Sequence, residues 1–486
     1  MEVTYIMIHW FLSLGYYILV CKIILEILIK KNTISEIIAW LSIIYIIPVI
    51  GIMLYYFFGK VNIDKKRKKR NKNIFSFSKL WINHLKNYQY IFTKKNSNLA
   101  YPIFQICKCQ QGIDGLTGNK IQLLINAYDI MQKLIQDIKF AKKNIEIIFY
   151  TWKVDGLINQ VTQALIAAAK RGVHCKLILD SIGSMQFFCS SYPNKMRDAG
   201  IIIIKALHID ILHIFCRRMD LRQHKKMILI DNYIAYVGSM NMVDPKFFKR
   251  NIGIGEWIDI MLRIEGPVTV FMKIVFSYDW WTETGERILF FPITFNILSI
   301  KKFSKHVLHI ISSGPGFSND IIHKALLTSI YSAKKILVIT TPYLIPSHDL
   351  LYAICTAAKR GVKVYIIVPL ENDSILVNWA SRVFFSELLN SGVSVYQFQG
   401  GVLHTKSILI DNQLSFVGTA NLDIRSLWLN FEITLIIDSK DFSKNLSKLQ
   451  RTYISQSKLL EAISWSKRPY WKKIVEKIFY LFSPLL

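Results

Sequence analysis

One nine-residue segment of the chain is written twice. Residues 223–231 read QHKKMILID and residues 403–411 read LHTKSILID, so both contain the pattern H-x-K-x4-D. In each copy a polar Asp-Asn pair separates two apolar runs, and the second run ends in Gly-Ser-Met-Asn (238–241) or Gly-Thr-Ala-Asn (418–421). Apolar runs joined by a short polar turn are typical of β-hairpins. The repeat therefore predicts two hairpins of the same kind within a duplicated fold.

The histidine and lysine of each copy predict the chemistry. Side chains two apart on a strand project from the same face, so His224 is expected beside Lys226 and His404 beside Lys406. An imidazole is a nucleophile or proton carrier near neutral pH, and an ammonium group stabilises anionic oxygens. If the two copies face each other, this set suits a phosphodiester. One histidine attacks phosphorus, the other protonates the leaving alkoxide, and the lysines hold the non-bridging oxygens.

Carboxylates near the motifs are candidates for orienting the histidines. Glu432 begins the predicted strand after the second motif, and Asp259 occupies the matching place after the first. A carboxylate on the far ring nitrogen fixes an imidazole tautomer, so each is expected to orient the histidine of its own copy. Asp231 and Asp411 lie at the far end of a strand that rises about 3.3 Å per residue. They are expected to brace the turn more than to touch a phosphate.

The duplication extends beyond the motifs. Three junctions at which a helix ends and a strand begins, two of them through a glycine, recur before each motif, which indicates two related halves. Helices alternate with strands, so each half is predicted to be an α/β sandwich with a mixed sheet. The matching segments are 141–148 with 333–339, 167–179 with 357–368, and 199–201 with 391–393.

The N-terminal region is apolar enough for a membrane. Val3 to Cys21 and Ile37 to Phe58 are runs of nineteen and twenty-two residues without Asp, Glu, Lys or Arg. Each is long enough to cross a bilayer, and together they predict a transmembrane helical hairpin. A signal peptide is the alternative for the first run, but a basic leading region and a small-residue cleavage site are missing.

Basic residues follow these runs. Lys60 to Lys72 holds eight basic residues and one acid, which by the positive-inside rule predicts cytoplasmic lobes and a cytoplasmic N-terminus. The same cluster suits anionic lipid head groups, and it is also compatible with a solvated linker. The net charge of +28 alone fits nucleic acid, anionic lipid or phosphorylated substrates equally well.

The C-terminal tail has an amphipathic pattern. Large apolar side chains recur at helical spacing, with lysines on other faces. Such a stripe docks on the protein or lies in a membrane interface. The apolar positions are Trp471, Ile474, Val475, Ile478, Phe479 and Phe482.

The paired motifs resemble those of the phospholipase D superfamily. The flanking segments 421–426 (NLDIRS), 430–432 (NFE) and 237–245 (VGSMNMVDP) are similar to those of bacterial cardiolipin synthases, and the similarity covers nearly the whole chain. The resemblance implies phosphatidyl transfer between two phosphatidylglycerol molecules through a phosphohistidine, with release of glycerol. The implied catalytic residues are His224, Lys226, Asp231, His404, Lys406 and Asp411, with Asn241 and Asn421 binding the substrate phosphate and Asp259 and Glu432 orienting the histidines.

Within that resemblance we interpret His224 as the nucleophile and His404 as the acid and base, although a near-symmetric pair does not fix their order.

The predicted fold class is α/β: an N-terminal transmembrane hairpin and two duplicated phospholipase D-like sandwich lobes sharing one active site. The predicted segments are the hairpin (1–60), a basic linker (61–117), two lobes (118–300 and 301–450) and a membrane-proximal amphipathic tail (451–486). The resemblance implies the bacterial inner membrane as the location.

Other functions stay open at this point. A hydrolytic phospholipase D that releases phosphatidic acid is the nearest alternative, and phosphatidylserine synthesis is a more distant one. A nuclease would use the same motifs, but a membrane hairpin does not suit it and no aromatic stacking platform is evident, so nucleic acid is not an expected partner. A scaffold with a dead site would be expected to have lost a motif residue.

The seven scattered cysteines and the histidines do not form a zinc pattern, so no metal or cofactor is predicted. The oligomeric state is not indicated.

Overall fold

A computed structural model describes residues 2–29, 34–59, 91–92, 97–208, 220–247, 253, 255–288, 306–315 and 320–483. The chain divides into two compact units, one formed by residues 1–65 with 209–220 and one by residues 66–208 with 221–486. The whole basic cluster at 60–72 and the last three residues of the tail lie outside the described residues. We call the second unit the catalytic body.

The N-terminal unit contains one long apolar helix. The helices are α1 (Glu2–Ile29), α2 (Ile34–Ile46) and α3 (Pro48–Leu54), followed by a wider helical turn at Tyr55–Gly59. Among the described residues, Thr4–Ile29 is the one helical stretch long and apolar enough to cross a membrane. It extends eight residues beyond the run that the sequence predicts.

The second apolar run is not the continuous helix that the sequence predicts over 37–58. It breaks at Ile47, whose φ of −131° and ψ of 76° are not helical. Pro48 accounts for the break, because proline disfavours a helical conformation at the residue before it. The rings of Trp40 and Tyr55 lie 5.4 Å apart, whereas residues fifteen apart on a straight helix are separated by about 22 Å. The chain therefore folds back on itself at the break.

The first half of the catalytic body is a mixed sheet covered by helices. Its strands are β1 (Lys120–Leu124), β2 (Asn144–Phe149), β3 (His174–Asp180), β4 (Ile202–Ala206), β5 (Met227–Ile230), β6 (Ile234–Gly238), β7 (Trp257–Ile258) and β8 (Met261–Glu265). The helices up to its end are α4 (Tyr101–Gln111), α5 (Ala127–Phe140), α6 (Gly156–Lys170), α7 (Met185–Phe188), α8 (Tyr192–Asp198) and α9 (Val268–Thr284).

The second half repeats this arrangement. Its strands are β9 (Val307–Ser313), β10 (Ile336–Thr340), β11 (Leu344–Ile345), β12 (Lys363–Pro369), β13 (Ser394–Phe398), β14 (Val402–Leu403), β15 (Ser407–Ile410), β16 (Leu414–Gly418), β17 (Leu422–Asp423), β18 (Glu432–Asp438) and β19 (Ser457–Leu459). Its helices are α10 (Ile321–Ser332), α11 (His348–Lys359), α12 (Ile375–Asn390), α13 (Ile424–Trp428), α14 (Lys440–Ser455), α15 (Ala462–Ser466) and α16 (Tyr470–Tyr480).

The strand order shows the duplication directly. Within the described residues the first sheet runs β1-β8-β6-β5-β2-β3-β4, and the second runs β9-β18-β16-β15-β10-β12-β13 with β19 added at its edge. In both, the three strands at one end are parallel and the others antiparallel. The predicted mixed sheet and the two predicted hairpins, β5-β6 and β15-β16, are therefore confirmed.

Alternation along the strands places each sheet between two apolar layers. Met227 and Leu229 belong to a core that also contains Leu409 and Val417 of the second sheet. Ile228, whose side chain points the other way, belongs to the core beneath α5 and α6. One face of each sheet thus contributes to a core common to both halves.

Part of the segment predicted as a linker is folded. Helix α4 lies within 61–117, and its Ile103, Phe104 and Cys107 are buried in the core of the second half. Leu116 pairs with Leu308 at the start of β9. The sequence prediction missed this helix because its apolar stripe is short. The described end of this segment therefore belongs to the catalytic body.

Candidate active site

The histidine and lysine of each motif lie in the segment that leads into a hairpin strand. Strand β5 begins one residue after Lys226, and β15 begins one residue after Lys406. The Lys226 ammonium donates to the backbone carbonyl of His224 over 2.8 Å, and the Lys406 ammonium donates to that of His404 over 2.7 Å. Each lysine is thereby tied to the backbone of its own histidine. Both lysines are almost fully buried.

The carboxylates pair with the histidines of the opposite half. Nδ1 of His224 lies 2.8 Å from Oε1 of Glu432, and Nδ1 of His404 lies 2.8 Å from Oδ1 of Asp259. The prediction that each carboxylate serves its own copy is wrong. The arrangement leaves Nε2 of each ring as the nitrogen open to a substrate, because the carboxylate occupies Nδ1.

Backbone pairing between the halves explains the crossing. Strand β14, which leads into His404, pairs in parallel with β7, which leads toward Asp259. In the same way Gln223 pairs in parallel with Phe431. The amide of His224 donates to the carbonyl of Phe431 over 3.0 Å, and that of His404 donates to the carbonyl of Ile258 over 2.9 Å. Each carboxylate therefore lies beside the histidine of the other half.

The hydroxyl residues after the hairpins support these carboxylates. Thr419 Oγ1 donates to Oε2 of Glu432 over 2.5 Å, and Asn430 Nδ2 donates to Oε1 over 3.2 Å. Ser239, in the matching place of the first half, hydrogen-bonds Asp259. The glycine before each hydroxyl residue packs against backbone. A Cβ at Gly418 would lie 2.4 Å from the carbonyl oxygen of Ile433, so a larger residue cannot fit without moving a strand.

Burial and charge give the site unusual protonation behaviour. Burial lowers the pKa of Lys226 to about 8 and that of Lys406 to about 7. Burial and the two nearby lysines hold the pKa of His224 well below its ordinary value. Burial also lowers the pKa of His404, against the opposing effect of Asp259. An imidazole that is neutral at pH 7 has a free lone pair, which is what a nucleophile needs.

The two carboxylates shift in opposite directions. Burial opposes the charge on Asp259, but His404 and its hydrogen bond outweigh burial and lower the pKa to about 2. For Glu432, burial prevails over Lys226 and the hydrogen bonds, and the pKa is raised to about 7. Asp259 is thus fully charged at neutral pH, whereas Glu432 is close to its midpoint.

Two aromatic rings border the histidines and were not predicted. The Tyr150 ring lies edge-on to the His224 ring at 5.1 Å between centroids, and Trp257 lies 4.4 Å from His404. Each ring fixes one side of its imidazole. Tyr150 directly follows β2 and Trp257 begins β7, so a position at a strand end near the motif was the available signal. Arg425, also not predicted, adds positive charge near His224.

The predicted phosphate-binding asparagines are buried close to the hairpins. Asn241 and Asn421 are each 5% exposed, and the Oδ1 atom of each is buried without a hydrogen-bond partner among the described residues. Asn421 lines a small cavity together with Lys406. A buried carbonyl oxygen without a donor is costly. Each Oδ1 atom is therefore a ready acceptor for a hydroxyl or N–H donor.

The aspartates of the two motifs lie away from this set. The carboxylate of Asp231 and that of Asp411 each accept three backbone N–H groups at the start of the neighbouring strand, at distances of 2.7 to 3.0 Å. Both residues have positive φ, 51° and 50°, at the hairpin turn. Asp231 thus fastens its hairpin to β2, and Asp411 fastens its hairpin to β10, as the length of the strand suggested. Their place in the catalytic set stays a prediction.

The described residues contain no group of three or more His, Cys, Asp or Glu side chains arranged to hold a metal ion.

Comparison with known proteins identifies the family. The family model described as "Cardiolipin synthase, PLD-like domain" matches residues 134–258 and 326–452, one match in each half. A second model, "Phospholipase_D-nuclease N-terminal", matches residues 18–60. The chain is 53% identical to the cardiolipin synthase A proteins of Cronobacter sakazakii and Escherichia coli O157:H7, over the full length of each.

Solved structures agree on the fold. The crystal structure of phosphatidylserine synthase from Haemophilus influenzae Rd KW20 superposes with a TM-score of 0.55 at 16% identity, covering 74% of this chain and 92% of that one. At this identity the likeness concerns the fold alone. The duplicated sheet, the paired motifs and the full-length relatives together place the chain in the phospholipase D superfamily, as a member of the cardiolipin synthase family.

Proposed function

We propose that the chain is a phosphatidyltransferase that joins two phosphatidylglycerol molecules into cardiolipin and releases glycerol. The observation that supports this most is the crossed pairing of two histidines with two carboxylates, with a buried lysine beside each histidine. One site assembled from both halves provides a nucleophile, a proton carrier and two cations. Those are the groups that transfer between two phosphodiesters needs.

In the first step Nε2 of His224 attacks the phosphorus of one phosphatidylglycerol. The bond between phosphorus and the oxygen of the head-group glycerol breaks, and His404 gives its proton to that oxygen. Glycerol leaves, and the phosphatidyl group stays on His224 as a phosphohistidine. Lys226 and Lys406 stabilise the non-bridging oxygens, whose negative charge raises the pKa of both lysines and favours their charged form.

In the second step His404, now neutral, takes the proton of the terminal hydroxyl of a second phosphatidylglycerol. That oxygen attacks the phosphohistidine, the bond between phosphorus and nitrogen breaks, and cardiolipin forms while His224 is regenerated. His404 ends protonated, as it began. The orphaned carbonyl oxygens of Asn241 and Asn421 offer acceptors for substrate hydroxyls, and their amide N–H groups offer donors to phosphate. Asp231 and Asp411 support both steps indirectly in this scheme, because they fasten the hairpins that follow each His-Lys pair.

Membrane attachment is the second part of the proposal. We infer that α1 crosses the bilayer and that the catalytic body lies on the cytoplasmic side, because eight basic residues follow the apolar N-terminal segments. Two crossings, as the sequence predicts, place the N-terminus in the cytoplasm. If the bent segment 34–59 stays on one side, the N-terminus lies outside. Reporter fusions at the N- and C-termini separate these cases, since reporters on the same side indicate two crossings.

The activity is tested by incubating the purified chain with phosphatidylglycerol vesicles in EDTA and analysing the products by mass. Cardiolipin and glycerol in equal amounts are expected, and a His224→Ala protein of unchanged melting temperature is expected to form neither. Phosphatidic acid alone would contradict transfer, because it would mean that water resolves the phosphohistidine. No turnover in EDTA would contradict the metal-independent mechanism.

A further inference from the structure

We propose that the outward face of α16 and of the turn after it is a membrane-contact surface of the catalytic body, which lies on a bilayer containing anionic phospholipid. The inference does not depend on the proposed reaction, and it concerns a part of the chain separate from the N-terminal helices. We call this surface the tail face. It consists of Tyr470, Trp471, Ile474, Lys477, Ile478, Leu481 and Phe482.

The tail face is apolar, yet it points away from the protein. Its members recur every three or four residues, so they share one side of the helix. The six apolar side chains are between 46 and 77% exposed. The sequence allowed such a stripe to dock on the protein, which is its usual fate. In the structure the buried contacts with the protein come from a different side of the helix, and the tail face meets the protein at its edge, where Trp471 lies beside Trp379.

The opposite side of α16 fixes this orientation. Glu476 is buried and forms an ion pair with Arg468 over 2.9 Å. Phe479 stacks on Trp379 of α12 at 6.3 Å, and Tyr480 meets Phe384 edge-on at 5.5 Å. Rotating the helix to bury the tail face would break the ion pair and leave Glu476 in an apolar surface or in water. The outward position of the apolar stripe is therefore set by the chain's own contacts.

Charge points to anionic lipid as the occupant. Residues 462–483 contain five basic residues and a single acid. That acid is Glu476, which is buried and neutralised by Arg468. Lys467 and Lys477 are exposed, and Lys472 and Lys473 are partly exposed at the flanks. A basic, apolar helix rich in aromatic residues is the pattern of an interfacial helix on anionic membranes. A two-fold contact with a second copy would instead bring lysines against lysines.

Helix α12 extends the tail face at one side. Ile375 and Leu376 are exposed on the turn before Trp379, and the ring of Trp379 lies 6.4 Å from that of Trp471. The surface thus includes residues from two elements packed together, so α16 holds a defined position on the catalytic body. A body held on the bilayer by this surface meets substrates that diffuse in the plane of the membrane.

The first test places a photocrosslinking amino acid at Ile478 in the full chain. The control position is Tyr352, which is also exposed and apolar but lies on α11. Both proteins are reconstituted into vesicles of phosphatidylethanolamine with and without phosphatidylglycerol and irradiated. The masses of the proteins and of their adducts are then measured by mass spectrometry. We expect a lipid adduct at 478 that increases with phosphatidylglycerol, and little adduct at 352. A crosslink between two copies, or equal lipid adducts at both positions, would overturn the proposal.

The second test asks whether the tail face affects use of membrane substrates. A triple variant, Ile474→Ser, Ile478→Ser and Leu481→Ser, leaves the inner contacts of α16 intact. Its apparent KM for vesicle phosphatidylglycerol is expected to rise about tenfold or more, because three large side chains lose their apolar environment. Turnover of detergent-dispersed phosphatidylglycerol is expected to stay unchanged. The matched control replaces Tyr128, Phe140 and Tyr352, three exposed apolar residues elsewhere, with Ser.

Equal losses in vesicles and in detergent would contradict a membrane role, since they would indicate damage to the fold or to the site. The photocrosslinking result does not require enzyme activity. A chain that forms the lipid adduct but no cardiolipin would therefore refute the proposed reaction and leave the tail face supported. The reverse outcome would refute only the tail face.

Discussion

The two halves of the site place different carboxylates on the same backbone frame. In one crossed pair His404 faces Asp259, whose pKa is lowered to about 2. In the other His224 faces Glu432, whose pKa is raised to about 7. The surroundings differ as well: Glu432 is fully buried and accepts from Thr419 and Asn430, whereas Asp259 keeps slight exposure. The repeat gives both pairs the same backbone frame. Burial raises the pKa of both carboxylates, and they differ because His404 outweighs burial at Asp259, whereas Lys226 and the hydrogen bonds do not outweigh it at Glu432.

This difference suggests how the work is divided. A permanently charged Asp259 opposes the lowering of the His404 pKa by burial, so His404 holds a proton more readily than His224 and suits the acid and base role. His224 is held neutral by burial and by the lysines, and its side chain is 11% exposed against 5% for His404. A neutral and more accessible imidazole suits the nucleophile. The asymmetry therefore supports the order that the near-symmetric motifs left open, and the following experiments test it.

Replacement of either histidine is expected to have the largest effect. His224→Ala and His404→Ala should each lower turnover of phosphatidylglycerol by at least about 10⁴-fold. The two should differ with a phosphatidyl ester of a nitrophenol, because that leaving group needs no proton. His404→Ala is then expected to release one equivalent of nitrophenol in a burst and to gain the mass of a phosphatidyl group. His224→Ala should show neither.

Digestion of the trapped His404→Ala protein should locate the adduct on His224. If the burst and the adduct occur in His224→Ala and not in His404→Ala, the division of roles is reversed. If both variants show a burst, neither histidine is a dedicated nucleophile.

Replacement of the two carboxylates should have the next largest effects on activity, and the two effects should differ in size. Asp259→Asn removes a charge that is present throughout the neutral range and is expected to lower kcat by about 10³- to 10⁴-fold, as loss of the oriented tautomer does in other sites. Glu432→Gln changes a group that is already near its midpoint at pH 7, and should lower kcat by about 10- to 100-fold. Steady-state kinetics of both variants measure the ratio. Equal losses would mean that the pKa difference has no catalytic consequence.

The residue between each histidine and lysine offers a comparison of stability. Lys225 is fully buried and pairs with Asp279 over 2.7 Å, while Thr405 in the same place hydrogen-bonds the hydroxyl of Tyr453. Lys225→Met leaves a buried carboxylate without its cation and should destabilise the fold by about 3 to 5 kcal/mol. Thr405→Val should destabilise it by about 1 kcal/mol.

Denaturant unfolding of the full chain in detergent measures both changes. The double variant Lys225→Met and Asp279→Leu should recover most of the loss, because it removes both charges. If the double variant is as unstable as Lys225→Met, packing around Lys225 and not its charge stabilises this part of the first half.

The same comparison shows what a sequence can predict here. The mixed sheet and the hairpins follow from the repeat, because local alternation and the turn at Asp-Asn fix them within one half. The crossed pairing does not, since Glu432 is close in sequence to His404 and reaches His224 only through strand pairing between halves. The bend at Ile47 was signalled by Pro48 alone. The outward stripe of α16 depends on Glu476 and Arg468, a contact that helical periodicity does not reveal.

The lysines provide the smallest and most specific comparison. A lysine stabilises phosphate only as an ammonium group, which is present below its pKa and lost as pH rises through it. With pKa values of about 7 for Lys406 and about 8 for Lys226, the two lysines are expected to add two stages to the fall in kcat/KM as pH rises, beyond the loss of the His404 proton at lower pH. Arginine stays charged throughout this range. Lys406→Arg should therefore lower the maximum but delay the fall by about one pH unit, which is a tenfold effect near pH 8. Lys226→Arg should leave the first stage in place, because Lys406 still titrates.

Profiles of kcat/KM from about pH 6 to about pH 9.5 report the free enzyme and so measure these groups before phosphate binds. Equal shifts in both variants would show that the two lysines titrate as one coupled pair, and a flat profile would show that neither loses its proton. Only unequal shifts are consistent with a site whose two halves share a frame and differ in their electrostatics.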